Sequence, residues 1–456
     1  MADNTIQALR KVQFGAEAVK AQGTLTMDTQ PTAADTVTVG AVTYIWVNSG
    51  ATAGHINKGA DLAAAKLAFV AAINGTDAIN DPNPYASAAA FIGNVCTLTA
   101  RIPGPFGNTI VTTETFTAVT NIFNGVTLGT TTSGAHARGT VVAATSILAI
   151  EDITWSDDPE KIYRPKIANG LLLRNRGRAT ATHHGTDFSW TDQPMVWEQL
   201  MHKLSMAVGS PVLTGPAGGP YVWTFGGTPT SNPNPMSFTL ERLFSNGLGD
   251  TVEQRAAYCM LKQYTLKFAV GEHLREGATG FARFFETNSI TGGLTMPDPE
   301  LGVSALSQVY VDDEWGDLGS TLLAEQVIGW EFTIGTGIFP RDTAEGRTTK
   351  DFTKHQLNGN ERLLDFKLTI ELDPTTYNAE AAHADAGDQR AVRLKIIGSD
   401  GREVDFDMLM QYSKPTLFKF GEDQGQDTVL LEMEEATDNT HFLTVTETHP
   451  SVYSLA

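Results

Sequence analysis

Few groupings of side chains in this 456-residue chain could do chemistry. The adjacent His183 and His184 could each ligate a metal. Neighbours along a strand point to opposite faces, so the pair does not converge on one ion. Asp312, Asp313 and Glu314, with Asp317 close by, bring the oxygen ligands that calcium requires. They lack the glycine-spaced ladder of a calcium loop and read as a solvated acidic turn. The turn from Gly421 to Asp427 reads the same way. Cys96 and Cys259 fall in different expected domains and read as small buried hydrophobes. His-Glu-x-x-His, Cys-x-x-Cys, Gly-x-Ser-x-Gly and a P-loop are all absent. Glycoside hydrolysis needs two carboxylates, and 52 acidic residues supply many without marking a pair. No catalytic residue, cofactor or metal is expected, and the chain reads as a non-enzyme.

Composition bounds the fold class. Apolar residues make up 41%, enough for packed cores, and the length calls for two or three domains. Glycine, threonine and valine are abundant and helical periodicity is scarce, which favours a mainly β architecture. No apolar run is long enough to span a membrane. The start, Met1-Ala2-Asp3-Asn4-Thr5, lacks a basic and then apolar leader, so synthesis in a cytoplasm is expected. The net charge of −20 is unevenly spread. Residues 1–140 hold 8 acids against 7 bases, residues 141–300 hold 16 against 13, and residues 301–456 hold 28 against 12. A nucleic-acid binder would show an extended basic surface. An acidic one repels DNA, or simply serves solubility.

The elements follow from periodicity and punctuation. Residues 22–138 read as a small α+β unit with alternating strands at 35–39, 42–47 and 95–100. Asp61 caps a helix over 62–73 that carries Leu62, Phe69, Val70 and Ile73 on one face and stops at Gly75. Residues 139–300 read as a first β domain. In it, 147–155 is a strand and 156–185 a long charged loop. A helix capped by Thr191 or Asp192 carries Val196, Trp197, Leu200, Leu204 and Val208. Strands follow at 221–225, 236–244, 260–270 and 280–286. Residues 301–456 read as a second β domain with strands at 305–311, 326–334, 363–372, 390–397, 404–410, 416–420, 428–434 and 442–446. A faint repeat aligns 261–268 with 327–334, placing Tyr264 opposite Trp330.

The start of the chain looks interrupted. Lys11-Val12-Gln13-Phe14-Gly15-Ala16-Glu17 leads to Ala21-Gln22-Gly23-Thr24, and Ala137-Arg138-Gly139-Thr140 resumes the same run into Val141-Val142-Ala143-Ala144. Joined at the shared Gly-Thr, the run resembles the N-terminal arm of the tail tube proteins of long-tailed phages. The intervening unit resembles a module that recurs inside phage structural proteins, through Gly23-Thr24-Leu25-Thr26, residues 35–40, Ala71-Ala72-Ile73-Asn74, Leu98-Thr99-Ala100 and Gly107-Asn108. The expected organisation is an arm over 1–21, an inserted surface domain over 22–138, and β domains over 139–300 and 301–456. The fold expected is mainly β: tail-tube-like sandwich or barrel domains with a flanking helix, one or two in tandem, plus the inserted α+β domain. For the insertion to leave the arm continuous, Gln22 and Arg138 should lie close together.

This resemblance implies a virion protein of the viral tail whose subunits close into trimeric or hexameric rings. The rings stack into a conduit that DNA passes without specific binding. Its implied neighbours are other copies, the tape measure and the terminator, with no membrane. Inter-ring contacts would come from Phe14, Glu17, Asp157, Asp158, Glu160, Arg174, Arg176 and Arg178. The ring wall would use the strands bearing Lys262, Tyr264, Lys267, Arg283, Trp330, Glu331, Lys367 and Glu371. Two rival readings come from other classes: a phage capsid or receptor-binding spike protein, and a β-sandwich carbohydrate-active enzyme.

Overall fold

The computed structural model describes residues 8–150 continuously. Beyond them it describes the rest of the chain except 151, 158–159, 164–178, 184–185, 215–219, 228–234, 246–250, 296–299, 304–305, 342–354, 358–363, 399–400, 414–418, 424–425, 439 and 450–456. The chain is mainly β, with three α-helices among the described residues. Asp158 and Arg174, Arg176 and Arg178 lie outside the described residues, as does His184.

The α+β unit begins four residues earlier than expected. β1 (Ala8–Ala16) belongs to the body, and β2 (Ala18–Thr26) already belongs to the unit. The unit continues through β3 (Thr36–Val39), β4 (Val42–Val47), β5 (His55–Asn57), α1 (Leu62–Asn74), β6 (Ala86–Ala88) and β7 (Val95–Pro103). β8 (Thr112–Glu114), β9 (Ile122–Phe123) and β10 (Ala135–His136) complete it. One sheet holds β10, β2, β7, β6 and β9, and the other β5, β4, β3 and β8. Between them pack Trp46, Tyr44, Phe69 and Leu98, all almost fully buried. Helix α1 forms where its caps put it. The Asp61 side chain accepts from the Ala64 N–H, and Gly75 adopts the left-handed conformation, with its N–H turned to Ala72 O.

The body follows: β11 (Ser146–Ile147), β12 (Thr154–Asp157), the hairpin β13 (Glu160–Tyr163) and β14 (Ala179–His183), β15 (Thr186–Pro194) and α2 (Trp197–Ala207). Then come β16 (Val212–Thr214), β17 (Tyr221–Gly227), β18 (Phe238–Ser245), β19 (Thr251–Ala269), β20 (Arg275–Ala282) and β21 (Phe284–Thr287). The last third gives β22 (Ser307–Asp312), β23 (Val327–Gly335), β24 (Ile338–Pro340), β25 (His355–Leu357), β26 (Leu364–Glu371) and α3 (Pro374–Ala386). It ends with β27 (Gln389–Ile397), β28 (Glu403–Tyr412), β29 (Lys419–Asp423), β30 (Gln426–Glu435) and β31 (Leu443–His449).

One set of pairings occurs twice. In the first unit β1 pairs β18, β12 pairs β15, β15 pairs β20, and β19 pairs β18, β20 and β21. In the second, β22 pairs β27, β23 pairs β26, β26 pairs β30, and β28 pairs β27, β30 and β31. A hairpin leaves the equivalent connection in each, β13–β14 and β24–β25. A helix follows the equivalent strand in each, α2 after β15 and α3 after β26. Asp187-Phe188 and Asp365-Phe366 occupy matching places on those strands. This corrects the repeat read from sequence. Strands 261–268 and 327–334 are not equivalents; they are antiparallel neighbours, paired from Gln263↔Gly335 to Ala269↔Gly329. The shared alternation of two half-buried strands produced that alignment.

Several other expectations are corrected. The strand expected over 147–155 is two short strands separated by an irregular stretch. The 280–286 strand is broken at Arg283. Neither Thr191 nor Asp192 caps α2: β15 runs on to Pro194, and Val196 stands at the cap without a side-chain bond. β1 is hydrogen-bonded along its length to β18, and residues 146–147 pair its other edge.

Candidate functional site

The β19–β23 pairing fuses the two units into one antiparallel sheet in the order β12, β15, β20, β19, β23, β26, β30, β29. Its two faces separate by period two. Tyr264, Leu266, Trp330, Phe332, Phe366, Leu368, Leu431 and Met433 turn into the core, all nearly fully buried. Each such side chain contributes on the order of 2–3 kcal/mol of burial. The other face carries charge. Asp187, Asp192, Glu331, Asp365, Glu371, Glu432 and Glu434 stand against Lys262, Lys267, Arg275 and Lys367.

All four cations are already engaged, Arg275 with Asp192 and Glu272. Lys267 Nζ lies 2.5 Å from Asp192 Oδ1, Lys367 Nζ 2.9 Å from Glu331 Oε1, and Lys262 Nζ 2.8 Å from Asp187 Oδ1. The hydrogen bond from Lys267 holds the Asp192 carboxyl below its usual range. The bond to Glu331 raises Lys367, and partial burial raises Asp365. Such half-exposed pairs contribute little to stability. Their effect is on the field: the cations are neutralised in place and an acidic excess is left over.

The ends of this sheet are open. Among the described residues β12 pairs only with β15, and the outer side of β29 has no strand against it. Unpaired strand edges are templates for pairing with another chain.

The arm is held by a buried carboxylate. Glu17 Oε1 accepts from the Tyr258 N–H at 2.8 Å and the Thr239 hydroxyl at 3.0 Å. Its Oε2 accepts from the Gly139 N–H and the Ser237 hydroxyl, both at 2.7 Å. The Ala137 N–H donates to the Glu17 carbonyl at 2.8 Å. The chain therefore leaves for the inserted unit at Glu17 and returns at Ala137, so the approach expected between Gln22 and Arg138 occurs a few residues closer to the body. Burial raises the Glu17 pKa, opposed by these donors. Gly139 makes its bond with a left-handed backbone, φ +76°, a conformation that side-chain-bearing residues rarely adopt.

Behind this sheet, α2 inserts a nearly fully buried helix. Lys203 forms an ion pair with Glu276, whose other oxygen accepts from the Tyr264 hydroxyl at 2.8 Å. In the second unit Arg390 bridges Glu380 of α3 and Asp313.

The structure places the proposed contact residues as follows. Phe14 and Glu17 are buried inside the chain, Phe14 against His202 and Phe238, so neither is offered to a neighbouring ring. Asp157 and Glu160 lie on β12 and β13. Lys262, Lys267, Glu331, Lys367 and Glu371 stand on the charged face. Tyr264 and Trp330 lie on β19 and β23 but point into the core. Arg283 sits at the break after β20 and donates to the Gly139 carbonyl at 3.3 Å. Sequence reading missed Asp187, Asp192, Asp365, Glu432 and Glu434, whose signal was alternation with buried apolar neighbours. Asp312 accepts from the Gly319 and Thr321 N–H groups, closing its own loop. No cluster of three metal-ligating side chains occurs among the described residues. Cys96 and Cys259 are free and buried, and burial pushes the Cys96 thiol up to about 12. No described helix is long and apolar enough to cross a membrane.

No protein-family model matches the chain, and no curated protein matches it.

Proposed function

We propose that this chain is a structural subunit of a phage tail tube, a virion protein whose rings stack into the conduit for DNA ejection. The observation that carries this reading is the continuous eight-strand sheet, built from two units with the same pairings and open at both ends. An open sheet with one buried and one charged face closes naturally by edge pairing with further copies. With two units per chain, three chains give a ring of six similar units. The charged face would line the lumen, where its acidic excess keeps DNA from adhering. The inserted α+β unit would decorate the outside. Its termini meet at Glu17 and Ala137, so it can stand away from the wall without interrupting it. The tape measure and the terminator are the other expected contacts, and no catalysis is required.

Electron microscopy of the purified protein, with rotational averaging of end-on views, tests this. Stacked rings with a central hole and three outer knobs are expected. Compact particles that never stack when concentrated would overturn the reading and favour a spike or an enzyme.

A further inference from the structure

We infer that β29 of one copy pairs antiparallel with β12 of the next, in a register that the chain itself specifies. The inference rests on the ring reading and adds the joint to it.

The argument starts from the joint inside the chain. β19 of the first unit pairs with β23 of the second. In the twofold set of pairings, β12 takes the place of β23, because each pairs with the strand that precedes a helix. The strand equivalent to β19 is β28 continued by β29: both segments pair with β30, as the single strand β19 pairs with β20. The internal joint is therefore a copy of the joint that the two free edges would form.

The register follows from shared partners. Phe188 faces Trp155 and Gly280, while Phe366 faces Phe332 and Met433. This equates Trp155 with Phe332 and Gly280 with Met433. Continuing along the pairs, Thr265 faces Gly277 and Lys419 faces Leu430, so Lys419 stands where Thr265 does. Ser156 stands where Thr333 does. Within the chain Thr265 faces Thr333, with their hydroxyls 3.1 Å apart. Across the joint Lys419 then faces Ser156, Phe420 faces Trp155, and Gly421 faces Thr154. Burial agrees with this phase on β12, where Trp155 is buried and Thr154 and Ser156 are exposed. Directly opposed residues place their Cα atoms about 4.5–5.5 Å apart, within the span of a disulfide.

The test is the double variant Ser156→Cys with Lys419→Cys in the full chain, oxidised mildly and run on a non-reducing gel. The native cysteines are buried and should not compete. A ladder ending at the covalent trimer is expected. Each single variant should stay uncrosslinked, and so should Val212→Cys with Lys419→Cys, which puts the partner thiol on the exposed edge strand β16. Rings seen by microscopy without crosslinking of the 156/419 pair would overturn the joint and leave the tube reading standing. Crosslinked trimers that never stack would support the joint and sink the tube reading. A chain that stays monomeric and uncrosslinked at high concentration would overturn both.

Discussion

Glu447 should make this protein lose stability as the pH rises through neutrality. It sits on β31 between Trp223 of β17 and Val404 of β28, fully buried. Neither carboxyl oxygen has a hydrogen-bond partner. Burial pushes its pKa from 4.5 to about 8, against a lowering influence from Arg402. The folded chain therefore keeps a proton that the unfolded chain releases near pH 4.5. The stability linked to this group is full below pH 4.5 and is lost as the pH rises toward 8, at about 1.4 kcal/mol per pH unit. The whole effect is roughly 4–5 kcal/mol, large against the usual net stability of a folded domain. Glu447→Gln removes the titration. Its amide carries a pH-independent penalty of about 1–3 kcal/mol for unsatisfied polar atoms. The difference between variant and wild type should thus grow in the variant's favour from pH 4.5 to 8 and then level off. Urea unfolding of the dilute chain, followed by tryptophan fluorescence at pH 5, 6, 7 and 8.5, measures it. A difference that stays constant with pH would refute the reasoning and mean that the carboxyl is hydrated or paired in solution.

Other expectations can be checked with similar means. Glu17→Ala leaves two backbone N–H groups and two hydroxyls without their acceptor and should cost about 3–5 kcal/mol. Limited proteolysis should then cut within residues 137–145, and an unchanged digestion pattern would count against the clasp. Lys203→Met alone should destabilise by about 3–5 kcal/mol by stranding Glu276, while Lys203→Met with Glu276→Leu should recover much of that in denaturant melts. Replacing residues 18–136 with two glycines should leave the body folded and able to assemble, with tryptophan fluorescence and microscopy as readouts, because the chain leaves and returns at hydrogen-bonded neighbours.

What could be read from the sequence was whatever local chemistry fixes. Helix α1 was legible because Asp61 and Gly75 cap it and its apolar residues share a face. Helix α3 has equally good local signals, with Asp373 accepting from the Thr376 N–H, Pro374 in the first turn and Gly387 at the end. It was missed because it carries no apolar stripe; the one buried residue in it is Glu380, bound to Arg390 and Tyr412. Strand positions in the last third were legible from alternation, and their partners were not. Alternation records only that one side of a strand is buried, so 261–268 and 327–334 looked like copies when they are neighbours. The real repeat lies in which strand bonds to which, with little more in the sequence than Asp187-Phe188 and Asp365-Phe366 to mark it. The arm shows the same limit from the other side. Its Phe-Gly and Gly-Thr were visible, and they were read as a bridge to another molecule. Burial of Phe14 and Glu17 shows that the segment is consumed in closing its own subunit. If the chain forms the proposed rings, any contact between them falls on surfaces other than these two side chains.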